Sequence, residues 1–285
     1  MEKILLAIDS LNPDTIALDF ACYLGRLTRS RVTGVFLGKH VPEASRAVKP
    51  PDINIDEYWE TEERPERYEE KLQLAEKHLA LFKEGCIARE VRYAVHQDGG
   101  VPANELIRES RFADVIVLSA ETSFNERVDG VPTGFVKQIL KKAECPVIIA
   151  PDSFEPVEEI IFAYNGKPSC VFAIKQFTYL FPEFHDKNII VVQANETGQW
   201  NGEEIYKFTE WLQGHYSLVH FEAVKGKPEV SLIRYLLSKE KILLVTGAYG
   251  GSELPGLMGQ GLADLLIKTV IQPIFVAHIY KPAKI

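Results

Sequence analysis

Apolar residues fall along this chain in short unbroken runs, separated by stretches where they recur every third or fourth position. The first pattern marks strands buried on both faces, the second marks helices laid against them. Ile4 to Ile8 is the first such run, closed by Asp9 and Ser10. Asn12-Pro13-Asp14 then opens a helix, with Asn12 read as the cap, Pro13 at the first helical position, and Ile16, Phe20 and Leu24 along one face. Val32 to Leu37 is the next strand. Residues 40 to 63 break the pattern with Pro42, Pro50 and Pro51 and an acidic, aromatic segment around Asp56, Glu57, Tyr58 and Trp59, and read as an insertion or long surface loop. A charged helix comes next from Pro65 to Phe82, then a strand from Val91 to Val95, a glycine-proline turn from Gly99 to Pro102, and a short helix through Leu106 and Ile107. Val115 to Leu118 and Cys145 to Ala150 are the last two strands of this half.

The second half of the chain repeats the design. Ile160 to Asn165 answers Ile4 to Asp9 at an offset of 156 residues. Gly226-Lys227-Pro228 answers Gly100-Val101-Pro102 at 126, and Pro273 to Ala277 answers Pro146 to Ala150 at 127. The offset falls by 30 residues between the first strand and the glycine-proline turn, which is where the insertion lies. Three matches in one order mark a duplication. Alternating strands and helices predict an α/β fold of two tandem Rossmann-like domains, each a five-stranded, mainly parallel sheet with helices on both faces. The expected domains are 1–151 and 157–285, with Pro151 to Pro156 as linker.

Composition changes this picture little. The 285 residues are 46% hydrophobic and 25% charged, values of a globular protein with real cores. A formal net charge of −8 argues against binding nucleic acid or an anionic membrane, both of which need a basic face. No apolar run approaches the ~20 residues of a membrane span, and the start MEKILLAIDS suits a strand better than a secretion signal. Cys22, Cys86, Cys145 and Cys170 form no CxxC pair, so reduced thiols in a cytoplasmic protein are expected, with neither zinc nor disulfides.

The candidate chemistry lies in Gly247 to Gly261, reading GAYGGSELPGLMGQG, between the strand Ile242 to Val245 and the helical stretch Leu262 to Thr269. Glycines on a strand-to-helix turn let backbone N–H groups approach a phosphate, and the helix N-terminus adds a favourable dipole. A long loop without a ligand would carry the same letters.

The duplicated pattern, an Asp closing the first strand, a G-x-P turn before the third helix and a glycine loop after the fourth strand together resemble the universal stress protein family, as a tandem member. The resemblance implies a fold related to the adenine nucleotide alpha hydrolases. In the family's ATP-binding branch the loop runs Gly, two residues, Gly, nine residues, Gly, then Ser or Thr. Here Gly247 and Gly250 match, the ninth residue on leads to Gln260 between Gly259 and Gly261, and Gly261 stands where the hydroxyl residue is expected. Ser252 can supply a hydroxyl only if the loop folds over the ligand, and Glu253 is the wrong charge for a phosphate. Asn165 replaces the Asp that contacts adenosine. The candidate residues for ATP or another adenine nucleotide are therefore Asn165, Gly247, Gly250, Gly251, Ser252, Gly259 and Gly261. The first half keeps Asp9 as a weaker candidate, and Gly134 at the position of Gly261. It has Ala120-Glu121-Thr122-Ser123 in place of the first glycines. Asp9 serves equally well as a strand closer that caps the adjoining turn.

The resemblance further implies that the last strands pair, Val147 to Ala150 meeting Ile274 to His278 as a pseudo-dimer within the chain, with further dimerisation open. His40 and His96 read as solvated or capping residues. Tyr58 and Trp59 form an interaction patch or fold back on the core. The carboxylates Glu57, Glu60, Glu62, Glu63, Glu66, Glu69 and Glu70 read as a solvated face and not a metal site. No GxSxG, HExxH or Walker lysine is present, which speaks against a conventional hydrolase or kinase. Three functions remain: a stress-response protein that binds a nucleotide without turnover, a scaffold with both sites degenerate and a protein as partner, and, least favoured, a slow hydrolase using Asp9.

Overall fold

The computed structural model describes residues 1–38, 65–98, 100–124, 129–247 and 262–277. Residues 40–63 with Tyr58 and Trp59, His278, and the glycine loop beyond Gly247 lie outside the described residues.

Among the described residues, ten strands form one sheet. The first five are β1 (Lys3–Asp9), β2 (Arg31–Leu37), β3 (Tyr93–Asp98), β4 (Val115–Leu118) and β5 (Val147–Ile149). The second five are β6 (Glu159–Tyr164), β7 (Asn188–Asn195), β8 (Leu218–Lys225), β9 (Ile242–Gly247) and β10 (Ile274–Ala277). Their order is β3-β2-β1-β4-β5-β10-β9-β6-β7-β8, so the second five repeat the order of the first in mirror sequence across the sheet. Pairing is parallel within each five and antiparallel where β5 meets β10, with Val147, Ile148 and Ile149 opposite Val276, Phe275 and Ile274. The expected joining of the last strands is therefore present, over Val147–Ile149 and Ile274–Val276.

Strand alternation sorts the core into two layers. Ile4, Leu6 and Ile8 pack on one face with Phe20 and Leu24 of α1 (Thr15–Leu27) and Phe82 of α2 (Pro65–Ala88). Leu5 and Ala7 pack on the other with Leu106 of α3 (Pro102–Ser110) and Val136 and Ile139 of α4 (Gly134–Lys142). The second half copies this. Phe162 faces Phe177 of α5 (Pro168–Leu180) and Phe208 of α6 (Gly202–Leu212), while Ile161 faces Leu232 of α7 (Pro228–Leu237) and Leu266 of α8 (Leu262–Thr269). Each core layer runs through both halves, as expected for a sheet covered on both sides.

Three of the boundaries that differ from the sequence reading have a clear local cause. The first helix starts at Thr15 and its cap is Asp14, whose Oδ1 accepts from the N–H groups of Ile16 and Ala17 at 2.8 and 2.9 Å. A carboxylate at that position outcompetes the Asn12 amide because it also meets the positive helix end. The charged helix runs on to Ala88 rather than stopping at Phe82, because Cys86 continues the buried stripe one turn further. The third strand starts at Tyr93 and not at Val91, since the Val91 N–H still closes the helix by donating to the Cys86 carbonyl at 3.0 Å, with Glu90 at φ 58° making the turn.

Candidate functional site

In an open parallel sheet the ligand crevice lies at the carboxyl ends of the strands, where neighbouring strands lead their helices to opposite faces. This chain has two such places, between β1 and β4 and between β6 and β9.

At the first, Asp9 turns its side chain onto its own loop: Oδ1 accepts from the Leu11 N–H at 2.9 Å, and the Asp9 carbonyl accepts from Asn12. The next turn is fixed by Ser10, whose hydroxyl donates to the Leu37 carbonyl at 2.8 Å. The segment after β4 closes on itself. Thr133 donates its hydroxyl to the Thr122 carbonyl at 2.5 Å and accepts from the Val136 N–H at 3.2 Å, so it both ties the loop and caps α4. Ser123 donates to Asp129 at 2.8 Å, and Phe124 packs edge-on against Phe135. Glu121 is exposed at this edge. Beside Gly134 lies open space, for a Cβ there would meet no atom within 4 Å.

At the second, Asn165 copies the Asp9 turn. Its Oδ1 accepts from the Lys167 N–H and from the Cys170 thiol, each at 3.1 Å. Gly247 ends β9 directly against the first turn of α5. A Cβ on it would lie 2.8 Å from the Ser169 carbonyl carbon and 2.9 Å from the Cys170 nitrogen. Only glycine lets strand and helix meet so closely. The α5 cap residue, Lys167, gives the helix no side-chain acceptor, and Pro168 stands at the first helical position. Burial pushes the Cys170 thiol up, opposed by the N–H groups of Asn165 and Gly247 and by the Lys167 charge. The structure thus brings Asn165, Gly247 and the α5 N-terminus together. Gly250, Gly251, Ser252, Gly259 and Gly261 lie outside the described residues, and Asp9 stands in the other half.

The neighbouring wall is aromatic. The Tyr164 ring stacks on Trp200 at 5.5 Å between centroids, its hydroxyl donates to Glu204 at 2.8 Å, and Trp200 Nε1 donates to the Glu222 carbonyl. Burial, then the Glu204 contact, pushes the Tyr164 hydroxyl up to about 12. Sequence reasoning missed this wall. Its one signal was a tyrosine at the strand end where the first half has Ile8. His96, read as solvated or capping, instead meets a carboxylate: Nδ1 lies 2.9 Å from Glu109 Oε2, which in turn holds Lys3 Nζ at 3.1 Å. Thirteen residues separate His96 from Glu109, and only the return of α3 alongside the sheet brings them together. Among the described residues no group of His, Cys, Asp and Glu could hold a metal ion, and no helix is long and apolar enough to cross a membrane.

No family model matches the chain. In sequence it is similar to the universal stress protein Slr1230 of Synechocystis sp., 26% identical over 162 residues, which cover 55% of this chain. The match spans about half the length of that relative, 56%. In structure it is similar to a universal stress protein from Archaeoglobus fulgidus, with a TM-score of 0.67 at 17% identity over 97% of this chain and 98% of the other. A functionally unknown protein from Pseudomonas aeruginosa matches with a TM-score of 0.56 at 13% identity, covering 98% and 92%. The sheet order and the repeat define a tandem Rossmann-like α/β protein. The universal stress protein resemblance is borne out: a curated member matches over more than half of the chain, and the fold is the one seen end to end in the Archaeoglobus protein.

Proposed function

We propose that this protein serves a cytoplasmic stress response by binding, as two domains of residues 1–151 and 157–285, and that its ligand is an adenine nucleotide such as ATP at the β6–β9 edge. The contact of Gly247 with the Ser169–Cys170 backbone is the observation that supports this most. It leaves the end of β9 flush with a helix N-terminus that has no side-chain cap. An anion there meets backbone donors, the positive helix end and the Lys167 ammonium. Asn165 uses its Oδ1 on the turn, which leaves its amide nitrogen to donate to a ligand. The glycines at 250, 251, 259 and 261 and the hydroxyl of Ser252 extend the same donor set in sequence.

The test is the shift in Tm of the purified protein with millimolar ATP, ADP and AMP, with and without magnesium. A ligand at 100 times its Kd stabilises the native state by ~2.7 kcal/mol. The expected result is a clear shift that Gly250→Val abolishes. Gly247 is the wrong residue to alter, because any side chain there collides with α5 whether or not a ligand binds. A second reading, a scaffold that binds a protein partner and no nucleotide, is favoured at the first site, where Asp9 and Thr133 are engaged by their own loops. The absence of a shift with all three nucleotides would overturn the nucleotide reading and leave this one.

A further inference from the structure

Cys22 of α1 and Cys86 of α2 bring their sulfur atoms to 4.0 Å across 64 residues of sequence. Both are buried, at 1% and 0% exposure. The helices are pressed together beside them: a Cβ on Gly85 would lie 3.0 Å from the Leu18 side chain. Arg89, one turn beyond Gly85, pairs with Asp19 and donates to the Gly85 carbonyl at 2.9 Å. A surface crevice of about 350 Å³, lined by Asp19, Cys22, Tyr23, Arg26, Arg89 and Phe154, has the first of these cysteines in its wall. Cys145 and Cys170 are buried as well, but neither stands at contact distance from another described sulfur.

We infer that Cys22 and Cys86 form an oxidisable thiol pair, in which Cys22 reacts with a hydroperoxide entering the crevice and Cys86 resolves the product into a disulfide that ties α1 to α2. The geometry separates the two roles, since Cys22 stands in the crevice wall and Cys86 lies behind it, and the electrostatics agrees. The two sulfurs share one contact in which either can donate; it lowers the Cys22 thiol against the opposing effect of burial, with the Arg89 charge helping and Asp19 opposing. The same contact, with burial, pushes Cys86 up. The thiolate is the attacking form, so Cys22 is the first to react.

The Cys22 thiolate attacks one peroxide oxygen. An S–O bond forms, the O–O bond breaks, and the departing oxygen takes the proton that Cys22 released, leaving as water or an alcohol. The Cys86 sulfur then attacks the Cys22 sulfenic acid. An S–S bond forms, the S–O bond breaks, and hydroxide leaves with the Cys86 proton as water. Two thiols lose two electrons and one peroxide bond accepts them. Bond formation requires the sulfurs to close by about 2 Å. The disulfide closes a chain segment that contains the whole 40–63 stretch, and a cross-link over so long a loop restricts the unfolded chain strongly.

The test uses the reduced, full-length protein and hydrogen peroxide as the probe, with alkylation and peptide mapping by mass spectrometry as the readout. The expected result is loss of two of the four thiols, a linked peptide pair containing Cys22 and Cys86, and reversal by dithiothreitol. Non-reducing gels should show faster migration, and Tm should rise by several degrees. In Cys86→Ser, dimedone should trap a sulfenic acid on Cys22. In Cys22→Ser no sulfenic acid should form on Cys86. Should a serine variant fail to fold, the wild-type peptide map decides alone. Four intact thiols, or oxidation of Cys145 or Cys170 ahead of Cys22, would overturn the inference. Nucleotide binding plays no part in either outcome.

Discussion

Phe275 of β10 lies opposite Ile148 of β5, each fully buried, at the antiparallel seam that joins the two halves of the sheet. The Phe275 ring meets Phe177 and Phe181 edge-on at 5.3 and 6.2 Å. Two edge strands that would otherwise expose unpaired backbone groups are satisfied at once. The seam is thus core rather than contact surface, and Phe275→Ala should cost about 3–5 kcal/mol, as for other buried aromatic truncations. Urea unfolding measures it. A loss below ~1 kcal/mol would mean that the halves do not depend on the seam.

Gly247, at the end of β9, and Gly134, at the start of α4, should behave oppositely. Gly247→Ala places a methyl group 2.8 Å from the Ser169 backbone, which cannot rotate away, and should destabilise by about 1–3 kcal/mol without any ligand. Gly134→Ala, in open space at the start of α4, should be neutral or stabilise by ~0.4–1 kcal/mol through the unfolded chain. Urea midpoints of the two variants make the comparison, and equal losses would remove the packing role given to Gly247.

The repeat was legible because both halves bury the same alternation: Ile4 to Ile8 and Ile160 to Tyr164 are apolar without a break, and a strand between two helical layers must be. The seam was legible only through family resemblance, since nothing local in Val147–Ile149 says which edge it meets. Boundaries were lost where tertiary contacts decide. The Asn12-Pro13 pair has the letters of a helix start, yet Asp14 holds the first N–H groups, and the Glu90 turn displaces the third strand by two residues. At the candidate site, the sequence places Asn165 and Gly247 at strand ends that lead into helices, and the structure sets both against the start of α5. The Tyr164–Trp200 stack and the Cys22–Cys86 contact join residues 36 and 64 positions apart, and no periodicity carries such information.

The Asp14 cap offers a local check on the first helix. Its Oδ1 serves two N–H groups that would otherwise lack acceptors. Asp14→Ala should cost about 1 kcal/mol, and Asp14→Asn much less, because an amide oxygen still accepts. Thermal unfolding of the three proteins in one buffer makes the comparison. Equal losses for Ala and Asn would locate the effect in charge rather than in capping.

Glu109 should make stability depend on pH. Burial alone would push its carboxyl up, but the hydrogen bond from Lys3 and the charges of His96 and Lys3 outweigh it and hold the group below the usual carboxylate range. The folded chain therefore binds this proton less readily than the unfolded chain. Its contribution is fully present above the unfolded value of about 4.3 and is lost as pH falls through the lower folded value. The effect should be small, since Glu109 is 27% exposed and solvent screens the cluster. Glu109→Gln should flatten the stability curve between about pH 5 and 3 relative to the parent, and the difference should shrink in 1 M salt. Parallel curves for parent and variant across that range would mean that Lys3 and His96 give the carboxylate no net support, and that the cluster only fills space between β1, β3 and α3.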